Sequence, residues 1–74
     1  MRYPMNHLSK VRKSIGLTQS QLACLCGWKQ SRIANYEIGI RKPGLNECRA
    51  IINALNKSGA KCSLDTVFPP INGV

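Results

Sequence analysis

Apolar residues recur along the chain at helical spacing, in short segments punctuated by glycine and proline. Leu8, Val11, Arg12 and Ile15 fall on one side of a helix that Gly16 would end. Leu22, Ala23 and Cys26, at i, i+1 and i+4, make a second stripe that is expected to be buried and closes at Gly27. Ile33 and Tyr36 point inward from a third segment, with Trp28 anchoring the turn before it. Leu45, Cys48, Ile51, Ile52 and Leu55 form a fourth, which begins after Pro43-Gly44 and fades at Asn56-Lys57-Ser58-Gly59. The spacing predicts helices at about 7–15, 18–26, 29–37 and 45–56, and a helical turn near 64–67. The fold class that follows is all-α, a compact bundle of four to five helices.

The second and third segments carry the sharpest local signals. Thr18 precedes Gln21 by three residues, so the hydroxyl can cap a backbone N–H while the Gln side chain reaches back to Thr18. Gly27 can adopt the left-handed conformation that ends a helix and turns the chain sharply. A new helix starts almost at once, and opposite its inward Ile33 and Tyr36 lie Gln30, Ser31, Arg32 and Asn35. Two short helices meeting at a glycine with polar side chains outward are laid out as a helix-turn-helix.

Chain length bounds the rest. A chain of 74 residues allows one domain, expected to span 1–74 with a core at about 7–56 and a tail at 57–74. A protein this small buries only about 60–65% of its extended surface, so its core must be well used. No second, ligand-sensing domain fits, and no small-molecule ligand is expected. In the tail, Leu64, Val67 and Phe68 precede Pro69-Pro70, which rule out further regular structure. Core packing is the preferred role of those three, with a dimer contact as the alternative. Residues 1–5 and 71–74 are expected to be loose.

Charge adds a partner. The net charge is +8 and unevenly spread: residues 1–44 hold eight Lys and Arg against Glu37 alone, while residues 45–74 hold three against two acids. Basic side chains commonly do no more than solubilise a small domain. Concentrated around the polar helix face, they suit a phosphate polymer, whose bound counterions are released on contact. No run of eighteen apolar residues and no apolar segment behind a basic start occurs, so a soluble, cytoplasmic protein is expected.

Catalysis and metal chemistry find little support. His7 is the single histidine and has no neighbouring acid, and no phosphate-binding glycine loop is present. Neither an enzyme nor a cofactor is expected. Cys24 and Cys26 lie two apart on a helix and so diverge by about 200°, which suits neither a disulfide nor a zinc site. Cys26 and Cys48 fit inner stripes, where a free thiol acts as a small hydrophobe. All four cysteines are expected to be reduced, and no metal site is assigned.

The chain resembles the phage Cro and repressor (XRE-like) family of helix-turn-helix DNA-binding proteins. The resemblance runs from about Leu8 to Leu55 through Leu17-Thr18-Gln19, Leu22-Ala23, Gly27, Ser31, Ile33, Tyr36-Glu37, Gly39, Arg41, Pro43, Leu45 and Ala54-Leu55. The Glu37-x-Gly39-x-Arg41-x-Pro43 continuation makes it specific. It implies a lambda-repressor-like bundle and a cytoplasmic, homodimeric transcription repressor acting on double-stranded DNA.

Roles follow residue by residue. The resemblance implies that Lys29, Gln30, Ser31 and Asn35 meet base edges, and an amide such as Gln30 or Asn35 can offer adenine a donor and an acceptor together. Gln30 is the leading specificity residue. Thr18 and Gln19, at a helix terminus that already favours anions, are expected to position the backbone, with Arg32, Arg41 and Lys42. Arg32 could also reach a guanine. Glu37, poorly placed at a helix C-terminus, is implied to pair with Arg12 in a structural, partly buried ion pair. Lys29 departs from the family, which places a Ser or Thr cap there, so it is expected to favour binding over folding. Leu25 also departs, as an apolar residue where a polar one is implied. The competing reading is an antitoxin-like or adaptor protein-interaction module on the same fold. RNA ranks third, because single-strand readers stack bases on exposed aromatics and Trp28 and Tyr36 read as core-facing.

Overall fold

The computed structural model describes residues 6–69, and the termini expected to be loose lie outside that range. Five helices follow one another: α1 (Leu8–Ser14), α2 (Gln19–Cys26), α3 (Gln30–Ile38), α4 (Leu45–Lys57) and α5 (Leu64–Val67). Among the described residues there is no strand. Helix ends fall within about one residue of those expected, because local chemistry sets them. Thr18 accepts the Gln21 N–H at 3.0 Å, while the Gln21 side chain accepts the Thr18 N–H at 2.8 Å, completing the capping box. At the other end of α2, Gly27 takes φ 76° and ψ 27°. The Trp28 N–H then returns to the Ala23 carbonyl at 2.8 Å, which satisfies a terminal carbonyl and reverses the chain into α3. The Asn6 contacts at the start of α1 were not anticipated: its side chain accepts the Leu8 N–H at 3.1 Å and donates to the Tyr36 carbonyl at 3.1 Å.

Helix α2 lies at the centre, packed on α3 and α4, with α5 against α4. Leu8, Leu22, Ile33, Ile51, Leu55 and Val67 are fully buried, so every helix gives the core at least one aliphatic side chain. Val67 brings the tail into that core, and Phe68 packs against it. The His7 N–H also bonds the Val67 carbonyl at 2.7 Å, so the last helix clamps the start of the first.

Two inner-stripe expectations need correction. Cys26 is only half-buried, its thiol directed at the Ala50 carbonyl, since it is the last residue of α2 and the chain turns away after it. Leu45 is 56% exposed, because as the first residue of α4 it stands beyond the end of the stripe that Cys48, Ile51 and Leu55 bury.

Candidate nucleic-acid interface

Helix α3 is short, and its burial is one-sided. Ile33, Tyr36 and Glu37 are buried, whereas Gln30, Ser31 and Arg32 are exposed and Asn35 is half-buried. Lys29 occupies the N-cap with extended backbone and no side-chain cap bond, as expected of a residue that can only donate. Arg41 and Lys42 are exposed beyond Gly39, and the Arg41 N–H returns to the Asn35 carbonyl at 3.2 Å. The loop carrying these two cations is thereby held against α3.

Glu37 has the partner anticipated for it. The Arg12 Nε donates to its Oε2 at 2.6 Å and Nη2 to its Oε1 at 3.1 Å, while Nη1 donates to the Leu17 carbonyl at 2.8 Å. Both residues are buried. This forked pair is the one ion pair among the described residues, and no buried side-chain polar atom there lacks a partner. A buried charge pair requires that degree of satisfaction, because each ion leaves water at a cost of several kcal/mol.

The pair extends outward through two glutamines. Gln19 Nε2 donates to Glu37 Oε1 at 2.8 Å, and Gln30 Nε2 donates to Gln19 Oε1 at 2.5 Å. An amide nitrogen carries two hydrogens, so Gln30 retains its carbonyl oxygen and one N–H, the pair an adenine edge requires. Gln19 similarly retains one N–H. Sequence reasoning assigned Gln19 and Gln30 separate tasks; the structure brings them into one chain of hydrogen bonds running from Arg12 to the surface of α3. Thr18, by contrast, is occupied in its capping box and stands apart from that chain.

Three further features escaped the sequence pattern. Arg32 lies over the Trp28 ring, its Cζ 4.8 Å from the centroid; Trp28 stands two residues before α3, so helical spacing carried no signal for the contact. Trp28 in turn meets Tyr36 edge-on, with centroids 6.0 Å apart. It is half-buried, so only Tyr36 is core-facing in full. Ile38 and Ile40 flank Gly39 and are 58% and 69% exposed; isoleucines on either side of a helix-ending glycine were the available signal. Leu25, at 54% exposure, is the exposed apolar residue anticipated.

The cysteines are free thiols. Burial pushes the Cys26 and Cys62 thiols up, and burial followed by the nearby Glu47 charge does so for Cys48. Among the described residues no three metal-binding side chains converge, and no helix is long and apolar enough to cross a membrane.

Comparison with known proteins agrees with this geometry. No curated protein and no solved structure matches the chain. The family model described as helix-turn-helix matches residues 8–61, which takes in α1 to α4 and the whole polar face of α3. The chain belongs to the Cro/C1-type helix-turn-helix family of DNA-binding regulators.

Proposed function

We propose that this protein is a Cro-like repressor that binds an inverted-repeat operator as a homodimer, with α3 of each subunit in the major groove. The observation that carries the reading is the outer face of α3. Gln30, Ser31 and Asn35 lie on it between Lys29 and Arg41, and the one acid of that helix, Glu37, is turned inward and neutralised by Arg12. Gln30 reaches adenine with its remaining donor and acceptor, Ser31 and Asn35 meet neighbouring bases, and Lys29 approaches them from the helix start. Gln19 offers its spare N–H to a phosphate beside the first turn of α2, with the Thr18 cap setting that turn, while Arg32, Arg41 and Lys42 supply charge. One helix reads only a few base pairs, so two copies about one DNA turn apart give usable specificity. Exposed Ile38, Ile40 and Leu45 support a second copy as the dimer partner. Occupying a promoter would then block polymerase in the cytoplasm.

Selection from random duplex DNA at two salt concentrations tests the reading. An enriched palindromic sequence is expected, and failure to enrich any motif would sink it. The same exposed apolar residues also suit a protein-interaction module. The two readings part at Gln30→Ala and Asn35→Ala: a repressor loses preference at particular base pairs, whereas an interaction module has no sequence preference to lose.

A further inference from the structure

We infer that Arg32 is a base-reading residue whose target is a guanine, and that Trp28 is the platform that aims it. The inference rests on the reading of α3 as the recognition helix. Arg32 is exposed, and the acids of the chain are engaged or placed elsewhere: Glu37 is paired with Arg12, while Glu47 and Asp65 lie in the first turns of α4 and α5. Its guanidinium instead rests over the Trp28 ring at 4.8 Å. The Trp28 ring is held by its edge contact with buried Tyr36, and its backbone N–H bonds the Ala23 carbonyl. The head of a long side chain is thus tied to the core through two aromatic rings. Less rotamer freedom is left to lose on binding.

Orientation separates the two possible uses of an arginine here. A phosphate needs mainly charge, which a mobile Lys or Arg supplies, and Lys29, Arg41 and Lys42 already supply it beside α3. A guanine edge needs two parallel donors aimed at O6 and N7 in one plane. A guanidinium held over an aromatic ring is restricted in position while its N–H donors stay free for another partner. Position favours the base as well. Arg32 lines a surface groove of about 350 Å³ together with Trp28, Ser31 and Asn35, the last two on the base-reading face, and with Lys29 and Arg41. On α3 Arg32 flanks Asn35, and a long side chain in the groove that Ser31 and Asn35 also line reaches the base edges next to theirs.

The test uses the full chain and the operator that it selects. In Arg32→Lys the charge stays but the planar donor fork is lost. Binding should persist while discrimination at one G·C pair per half-site, roughly 5- to 150-fold in the wild type, is reduced in this variant and lost in Arg32→Ala. Trp28→Leu should weaken preference at that same pair and leave the other positions unchanged. If this variant fails to fold by circular dichroism, Trp28→Phe, which keeps a smaller aromatic face, should show a partial loss at the same pair. If Arg32→Ala lowers affinity equally for every sequence, Arg32 is a phosphate contact, and if it leaves the wild-type preference at every base pair, Arg32 reads none; either result overturns the guanine assignment. Absence of any selected sequence in the wild type would bring down the recognition-helix reading, and this one with it, before a variant is made.

Discussion

Removing the Glu37 carboxylate strands a buried cation. In Glu37→Ala, Arg12 loses the bonds of 2.6 and 3.1 Å to the two carboxylate oxygens and keeps only the Leu17 carbonyl at 2.8 Å. Its side chain is 9% exposed, so water offers little replacement. Breaking one side of a buried pair costs about 3–5 kcal/mol. In a domain of this size each kcal/mol shifts Tm by about 4–8 °C, which puts the loss at about 12–40 °C. Total stabilities of about 5–15 kcal/mol leave little margin for it. Replacing both partners, as Arg12→Met with Glu37→Leu, removes the charges together and should recover most of the loss, because an apolar pair of similar volume often matches a buried ion pair. Urea denaturation followed by circular dichroism measures the wild type, Glu37→Ala, the Arg12→Met and Glu37→Leu singles, and their double variant. A single-variant cost below about 1 kcal/mol, or a double variant as unstable as the sum of the singles, would refute the reasoning.

The double variant also separates folding from reading. With Glu37 gone, Gln19 loses the acceptor for its Nε2, and Gln30 loses a fixed neighbour. Stability should return while affinity for the selected operator does not. Wild-type affinity in the apolar double variant would show that the two glutamines need no tether to the ion pair.

Other perturbations reach different parts of the motif. Lys29→Ser supplies the missing N-cap and should add about 1 kcal/mol, or about 4–8 °C in Tm, while weakening DNA binding; a stabilised variant of unchanged affinity would remove Lys29 from the interface. Gly27→Ala places a side chain at φ 76°, where a Cβ meets nothing within 4 Å, so a thermal melt should show only the conformational cost, about 1–2 kcal/mol. Stability should fall as pH rises above the ordinary thiol range. The folded pKa values of Cys26, Cys48 and Cys62 are raised, so the folded chain holds those protons longer than the unfolded one. Their contribution is complete below about pH 8.5 and is lost through the raised values, and Cys26→Ala should flatten that part of a urea-stability profile.

Most of the fold was legible because helix ends here depend on adjacent residues. The Thr18–Gln21 box and the Gly27 turn are settled within a few positions, and the apolar stripes between them had one arrangement that buried Leu22, Ile33 and Leu55. The Arg12–Glu37 pair was legible for another reason: one acid among eight bases at a helix C-terminus calls for a partner, and the family resemblance supplied it. What sequence could not supply were features fixed by how helices meet. Leu45 belongs to its stripe by spacing but projects past the contact. Gln19 and Gln30 lie eleven residues apart and join only when α2 and α3 cross. The Arg32 stack depends on side-chain conformation, which the pattern of apolar and polar positions does not encode.

Burying Glu37 has an electrostatic consequence for the surface it leaves. Lys29, Arg32, Arg41 and Lys42 are exposed, and the single acid of residues 1–44, Glu37, is buried against Arg12 and does not compete with DNA for them. Binding should therefore weaken steeply with salt, each phosphate neutralised contributing about 0.9 to the slope of log K against log salt. Arg41→Ala and Lys42→Ala should each flatten that slope while leaving the order of preferred sequences unchanged, unlike Gln30→Ala. The size of the change also counts subunits. One bound chain loses one phosphate contact, so the slope changes by about 0.9, whereas a dimer loses two and changes by about 1.8. Titrating wild type and Arg41→Ala against the selected operator over several salt concentrations gives both values. A slope that does not move would mean that the loop held to Asn35 by the Arg41 N–H carries its cations away from the DNA backbone.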